Sequence, residues 1–478
     1  MTELAIVPRR TWTLVLASLG VFLTSLDVVV VATALPTLRD ELHASLADLE
    51  WTINAYNLVF ACLMLTGAAL GDRFGRRRTY VLGLLLFSAA SAGAALSTTT
   101  GELIASRVLQ GAGAAVVLPL TLTLISDAFP AAKRGTAIGI WGGVSGLGVA
   151  AGPLVGGAVV QAASWQWIFW LNVPIGIAVA VLSAVRLGES RGPRPRFDIV
   201  GAVLAGAGMF ALTWAPVRAP TVGWASGEVI GALVVGATLV ALFLAWENKA
   251  RYPMLPLKYF RSRAFSTANG VIFFQFVSLL GSLFMITQLF QIGLGYSPLQ
   301  AGLRLLVWMA MPMLVAPIAG RLSDIVGNKP FLIVGLLLQS AGLGWLAIVV
   351  APAVDYGSMI GPLIVAGIGI GMCFSTVANA VVSSVPVEGS GIAAGTNSAL
   401  RELGGVLGIA VVGAVFAANG SYQSPTNFVQ GFIPAIAVAA AIPLVGVVAA
   451  VLYPSRSRQA RTTIVEPAQA RELQAERE

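Results

Sequence analysis

The chain has 478 residues, of which 57% are hydrophobic and only 10% charged, with a mean hydropathy of +0.85. A soluble domain carries about 25% charged residues, so the composition excludes an ordinary soluble protein and indicates a polytopic membrane protein. The net charge of +8 is no nucleic-acid footprint, because the basic residues punctuate apolar segments and do not gather on one face.

A membrane-crossing helix needs about 20 mostly apolar residues. Candidates fall near 12–35, 52–71, 79–98, 102–125, 136–161, 166–187, 199–217, 227–247, 264–292, 299–320, 330–351, 357–380, 391–418 and 429–453. The expected fold class is therefore an all-α polytopic protein with fourteen transmembrane helices. Arg9 and Arg10 precede the first run as in a signal peptide, but the run is too long for an h-region and lacks a convincing cleavage site, so it is read as an uncleaved span. The boundary of the seventh and eighth spans falls in APVRAPTVGW, Ala215 to Trp224, which carries two prolines and an arginine. Cys62 and Cys373 both lie in apolar runs and imply no disulfide framework. With one histidine, His43, and no Cys/His cluster, no metal site is expected.

Lys and Arg in short loops set the orientation. One side receives Arg9 and Arg10; Arg73, Arg76, Arg77 and Arg78; Lys133 and Arg134; Arg186, Arg191, Arg194 and Arg196; Lys249, Arg251, Lys258, Arg261 and Arg263; Arg321 and Lys329; and the arginines from Arg456 to Arg477. The opposite loops hold only Arg39 and Arg218, so both termini are expected to be cytoplasmic. Asp72-x-x-Gly75-Arg76-Arg77 after the second span is answered by Asp324-x-x-Gly327-Asn328-Lys329 eight spans later. Two six-helix halves would place the copies six spans apart, so two helices are inserted between them. The expected organisation is an N-terminal tail over 1–11, a six-helix bundle over 12–187, a linker with two extra spans over 188–263, a second bundle over 264–453 and a tail over 454–478. SRGPRPRF, Ser190 to Phe197, and ENKARYPMLPLKYFRSR, Glu247 to Arg263, mark the two boundaries. Repeated halves with a site at their interface are a common plan of secondary transporters.

Charges inside the spans carry the functional signal, since an intramembrane ionisable residue is costly. Asp27 stands alone in FLTSLDVVVVATALP, Phe22 to Pro36. At 1.5 Å per residue it lies ~22 Å up a ~30 Å core, and Arg107, on a helix running the other way, lies ~9 Å below the same outer face. The two share a depth at which each would be prohibitive alone. Arg107 has two readings, as the partner of an anion or as a support for carbonyls in a helix bend. In the fifth span, Gly139 and the run Gly148-x-x-x-Gly152-Pro153-x-x-Gly156-Gly157 let helices approach closely and bend; taken alone, such spacing is packing. Arg401 and Glu402 fall roughly 15 to 17 Å into the thirteenth span. Neighbouring helical positions point apart, so each is expected to have its own partner. Glu402 is either a second proton or cation site, or a buried protonated acid bonding a neighbour. Arg304 is the third arginine within a span.

These residues together resemble a fourteen-helix drug:proton antiporter of the major facilitator superfamily, from Trp12 to about Tyr453. Gly71-Asp72-Arg73-Phe74-Gly75-Arg76-Arg77-Arg78 is similar to the superfamily's loop signature, which implies a charge network of Asp72, Arg73, Gly75 and Arg76, echoed by Asp324 and Gly327, that holds one conformation; simple topological charge is its other reading. Ala68 stands where that signature usually has Gly, with Gly67 one place earlier, while the second copy keeps Gly320. Leu103-x-x-x-Arg107-x-x-Gln110-Gly111-x-Gly113 resembles a fourth-helix motif associated with proton coupling. The Gly139 to Gly157 pattern resembles the antiporter signature of the fifth helix and is the most specific of the set. Leu26-Asp27 with Ala34-Leu35-Pro36 resembles the first-helix motif, with Val29 and Ala32 where the family often has Thr and Asn. Glu402 departs from the Gln that often follows this arginine.

The resemblance implies an exporter that exchanges amphipathic small molecules, such as drugs, antibiotics or lipophilic cations, for protons by alternating access. Asp27, Arg107 and Glu402 would serve proton coupling. Asn54, Tyr56, Asn57, Gln275, Gln288, Met309, Met313, Asn379 and Arg401 are candidates for the substrate cavity, each with interhelical packing as its alternative. No phosphate loop is present and Gly367-x-Gly369-x-Gly371 lies within a span, so no nucleotide, nucleic acid or cofactor is expected; protons, the small molecule and the bilayer are the partners. No nucleophile and base constellation suggests an enzyme. Arg-rich, Ala/Gly/Val-rich composition suggests a bacterial cytoplasmic membrane. The alternatives are an exporter of one endogenous metabolite or lipid, and a membrane sensor without flux.

Overall fold

A computed structural model describes residues 3–44, 46–192, 198–352, 354–386, 389–421 and 423–455. Arg194, Arg196 and the five arginines from Arg456 to Arg477 lie outside them. The helices are α1 (Glu3–Glu41), α2 (Leu46–Phe74), α3 (Arg76–Leu96), α4 (Thr100–Ala128), α5 (Ala131–Ala162), α6 (Trp167–Trp170), α7 (Asn172–Arg186), α8 (Ile199–Val222), α9 (Gly227–Lys249), α10 (Arg263–Gln288), α11 (Pro298–Met309), α12 (Met311–Val326), α13 (Asn328–Val349), α14 (Tyr356–Val382), α15 (Ser390–Asn419) and α16 (Pro425–Leu452). Among the described residues there is no strand, and 14 segments are long and apolar enough to cross a membrane, as the hydropathy runs predict.

Departures from straight helices have local causes. α6 and α7 form one span, Trp167–Arg186, interrupted at Leu171. Pro174 lacks the N–H that would bond the Trp170 carbonyl, so the helix breaks just before Asn172. In the tenth span, Gln300–Val326, Pro312 withholds the same bond from Trp308, and α11 gives way to α12 at Ala310. α10 ends in a π turn, Leu289–Gly293. Despite Pro216 and Pro220, α8 continues to Val222 and stops at Gly223, whose φ of 88° suits only glycine. α1 begins at Glu3, several residues before the apolar run.

The two halves repeat one set of pairings: α1 with α5, α2 with α4 and α3 with α7 in the first, and α10 with α15, α12 with α14 and α13 with α16 in the second. They meet by exchange of equivalent surfaces, α5 against α12 and α2 against α15. The inserted pair, α8 and α9, pack together, and α8 leans on both α2 and α15 beside the seam. α9 turns Val234, Val235 and Leu242 outward, as a lipid-facing helix does.

Candidate functional site

Asp27 is fully buried and met by three donors. Oδ2 accepts from Arg107 Nη1 at 2.5 Å. Oδ1 accepts from Gln110 Nε2 at 3.0 Å and from Asn172 Nδ2 at 2.8 Å. Arg107 donates in addition to the Thr52 carbonyl at 3.0 Å and to Gln110 Oε1 at 2.8 Å, and its guanidinium lies 4.3 Å from the centre of the Tyr56 ring. Gln110 Nε2 also reaches Ser91 Oγ at 2.7 Å. The depth match of Asp27 and Arg107 is thus a direct ion pair. The polar neighbours missing from α1 are supplied by α4 and α7. Asn172 escaped the sequence reading; its one signal is Asn-x-Pro at the break of an apolar run. A hydrogen bond to a charged group is worth about 1.5–3 kcal/mol. Asn172→Ala is accordingly expected to lower thermal stability by that amount in a detergent melt, while Asn172→Asp, which sets a second acid against Asp27, lowers it further.

The glycines of α5 divide between two neighbours. A Cβ on Gly148 would come within 2.9 Å of the Phe22 carbonyl oxygen, and one on Gly152 within 2.6 Å of the Val29 side chain, so this stretch seats α1 within a turn of Asp27. Gly139 faces the other half, where a Cβ would lie 2.7 Å from the Ala316 carbonyl oxygen and 3.1 Å from Gly320 Cα. Gly156 is buried, Gly157 faces open space, and Pro153 lies within α5 with its side chain outside the described set.

At one end of the helices the repeated motif forms a cross-half closure. Arg76, 1% exposed, joins Asp72 at 2.9 Å to Asp127 at 2.6 Å. Asp127 also accepts from Ser190 Oγ at 2.6 Å and from Ser390 Oγ of the second half at 3.0 Å. The Asp72 carboxylate lies against Gly391 in the first turn of α15. Symmetrically, Asp324 on α12 accepts from the backbone N–H groups of Gly135 and Thr136 at 2.9 and 2.8 Å and from Thr136 Oγ1 at 2.6 Å, near the start of α5. Each aspartate therefore lies close to the positive end of the opposite half's fifth helix. Gly75 and Gly327 have φ of 111° and 97° and start α3 and α13. Glu189 accepts from the Arg77 and Arg78 N–H groups at 3.0 and 3.3 Å. Arg73 stands outside this cluster, 5.1 Å over the Phe74 ring. The Ala68 departure is met across the seam, where Gly395 supplies the small partner.

In the second half, Arg401 and Glu402 pair with one another at 3.2 Å, contrary to the expectation of separate partners. The long arginine side chain reaches the next residue on its own helix, and its guanidinium also lies 5.5 Å from the Phe276 ring. From there aromatic contacts cross the seam: Phe276 to Phe374 at 6.3 Å, then Phe374 stacked on Trp141 at 5.8 Å and 6°. This stack, assembled from α10, α14 and α5, was not legible in sequence. Tyr56 is fully buried in the Asp27 cluster, and among the described residues its hydroxyl has no hydrogen-bond partner. Gln275, also fully buried, donates to the Ile370 carbonyl at 3.3 Å; Asn379 reaches Asn328 at 3.1 Å; Gln288 reaches the Phe284 carbonyl at 3.3 Å. Asn54 and Asn57 are half-buried on α2, Met309 ends α11, and Met313 packs on Gly143 and Gly146. Arg304 lies 3.8 Å over the Tyr296 ring. Among the described residues no His, Cys, Asp and Glu group could hold a metal ion.

Two equivalent helical halves, tied at one membrane face around a buried ion pair, define the class of transporters whose halves rock about a central site. The model of the Major Facilitator Superfamily matches residues 17–409, and the chain belongs to that superfamily. It is 36% identical over 432 residues to the tetracenomycin C resistance and export protein of Streptomyces glaucescens, covering 89% of this chain and 80% of that one. It is 32% identical over 445 residues to the multidrug efflux pump LfrA of Mycolicibacterium smegmatis, covering 92% and 88%. The solved proton:xylose symporter XylE has the same fold, with a TM-score of 0.66 at 16% identity over 93% of this chain and 96% of that one.

Proposed function

We propose that the protein is a proton-coupled antiporter that exports amphipathic small molecules across the cytoplasmic membrane of a bacterium. Both termini lie on the cytoplasmic side, and the proton gradient drives the cycle without nucleotide or cofactor. The observation that carries the reading is the enclosed Asp27 carboxylate, whose strongest partner is a cation on another helix. Protonation of Asp27 cancels its attraction for Arg107 and leaves the guanidinium to Thr52, Gln110 and the Tyr56 ring. α1 is then released from α4. Because α1 sits on Gly148 and Gly152 of α5, and α5 crosses to α12 through Gly139 and Gly320, the change reaches the seam through contiguous packing. The closure at Asp72 and Asp324 serves as the conformational switch, opening when the halves rock.

The substrate reading rests on the aromatic stack of Trp141, Phe374 and Phe276, with the part-exposed Glu402 at its end. Flat apolar faces suit varied greasy molecules, and aromatic rings also suit a positive charge. The names of the relatives, an antibiotic resistance and export protein and a multidrug efflux pump, point the same way.

Inside-out vesicles containing the protein test this directly. A fluorescent lipophilic cation is expected to accumulate only when the lumen is acidic, and its addition should dissipate the imposed pH gradient. Accumulation indifferent to the gradient and to a protonophore would refute proton coupling. Dye binding without accumulation would refute export of that substrate class.

A further inference from the structure

We infer that the cavity formed by the end of α9 and the loop after it, and closed by Ile392 of α15, binds the phosphate-bearing headgroup of an anionic lipid from the cytoplasmic leaflet. The loop that follows α9 is anchored from below. Glu247, 3% exposed, accepts from the Met254 and Leu255 N–H groups at 3.1 Å each, and both of those residues are buried. A 3-10 turn, Leu257–Arg261, then packs Phe260 against Phe265 with ring centres 5.0 Å apart. The result is a concave site of about 480 Å³ whose wall includes Arg251, Lys258 and Arg261, with Tyr252, Tyr259 and, from α15, Ile392.

Arg251, Lys258 and Arg261 are exposed, and among the described residues none of them forms an ion pair. Arg251 and Lys258 each lie 5.7 Å from the ring of the tyrosine that follows them. Glu247, the acid of this cavity, turns both oxygens to the backbone. The site thus offers three cations to an anion. The orientation rule explains why charges occur on this side, but any loose loop satisfies that rule; an anchored, concave array is more than it requires. Trp246, beside Glu247, donates to Asp198 at 3.0 Å and sits where aromatic side chains mark the headgroup level. Leu242, Leu244 and Trp246 are exposed on the last turns of α9 before Glu247, so acyl chains have an apolar surface beside the cations, whereas a soluble phosphate would use only the cations.

Occupancy bears on the cytoplasmic closure. The Tyr259 hydroxyl lies against Gly389, and Ile392 lines the cavity; between them Gly391 receives Asp72. A bound headgroup steadies the turn of α15 on which the closure depends.

The test uses the purified full chain with phosphatidylglycerol, phosphatidylcholine or soluble glycerol phosphate, read by native mass spectrometry and thermal unfolding. Phosphatidylglycerol is expected to remain bound and raise the melting temperature, and the other two to do neither. Arg251→Gln/Lys258→Gln/Arg261→Gln should weaken phosphatidylglycerol binding by roughly a hundredfold, with Lys258→Gln alone giving a smaller loss if the triple variant folds poorly. Arg186→Gln, a cytoplasmic charge on α7, should bind as the unaltered protein does. Undiminished binding by both the triple and the single variant would overturn the proposal, and glycerol phosphate competing at equal concentration would overturn its assignment to lipid.

Discussion

Asp27→Asn is expected to abolish gradient-driven uptake and to destabilise the protein more than Arg107→Gln does. The asymmetry follows from what each change leaves behind. Without the carboxylate, Arg107 keeps the Thr52 carbonyl, Gln110 Oε1 and the Tyr56 ring but has no counter-charge, and a guanidinium cannot shed its proton. Breaking a buried pair by removing one partner costs about 3–5 kcal/mol. Without the guanidinium, Asp27 keeps the amides of Gln110 and Asn172 at 3.0 and 2.8 Å and can escape the remaining penalty by binding a proton. Arg107→Gln should therefore retain a folded protein whose transport has lost its dependence on the pH gradient. The double variant Asp27→Asn/Arg107→Gln separates stability from mechanism: its melting temperature should recover above that of Asp27→Asn while uptake stays absent. Uptake by Asp27→Asn at the unaltered level, still driven by the gradient, would exclude Asp27 as the carrier and direct attention to Glu402.

What sequence could convey of this site was its one-dimensional part. Apolar run length locates the spans, the loop charges suggest an orientation, and the helical rise sets Asp27 and Arg107 at one depth without any knowledge of which helices touch. The repeat of Asp-x-x-Gly likewise survives because Gly75 and Gly327 each start a helix at positive φ. Side-chain partners set by three-dimensional packing were hidden. Asn172 reaches Asp27 from the first turn of α7, beside the helix break before Pro174. Arg76 finds Asp127 on α4 and not only the Asp72 of its own motif, and Trp141 of the first half meets Phe374 of the second across the seam. The separation of Arg401 from Glu402 was inferred from backbone direction alone, which neglects the reach of a flexible guanidinium.

Gly320→Ala is expected to leave the protein folded but to impair it by opening the α5–α12 seam. A methyl on Gly320 would collide with the Gly135 carbonyl oxygen and come within 2.8 Å of Gly139 Cα. These are backbone atoms of two helices, so no side chain can rotate away and α12 must move off α5. Overpacking of this kind costs about 1–3 kcal/mol. The collision exists only where the helices touch, so it acts on the closed arrangement and spares any in which they separate. At 1.4 kcal/mol per factor of ten, the closed population falls roughly five- to 150-fold relative to its alternatives. The hydrogen bonds of Asp324 to Gly135 and Thr136 lie on the same contact and would loosen with it. A cysteine at Ser323, buried in this seam, in a background with Cys62 and Cys373 replaced by serine, reports the change. A membrane-impermeant maleimide should label Ser323→Cys slowly from the side on which this seam opens, and much faster once Gly320→Ala is added, with uptake falling in parallel. Equal labelling and equal uptake in the two backgrounds would mean that the α5–α12 contact is not the closure that the transport cycle opens.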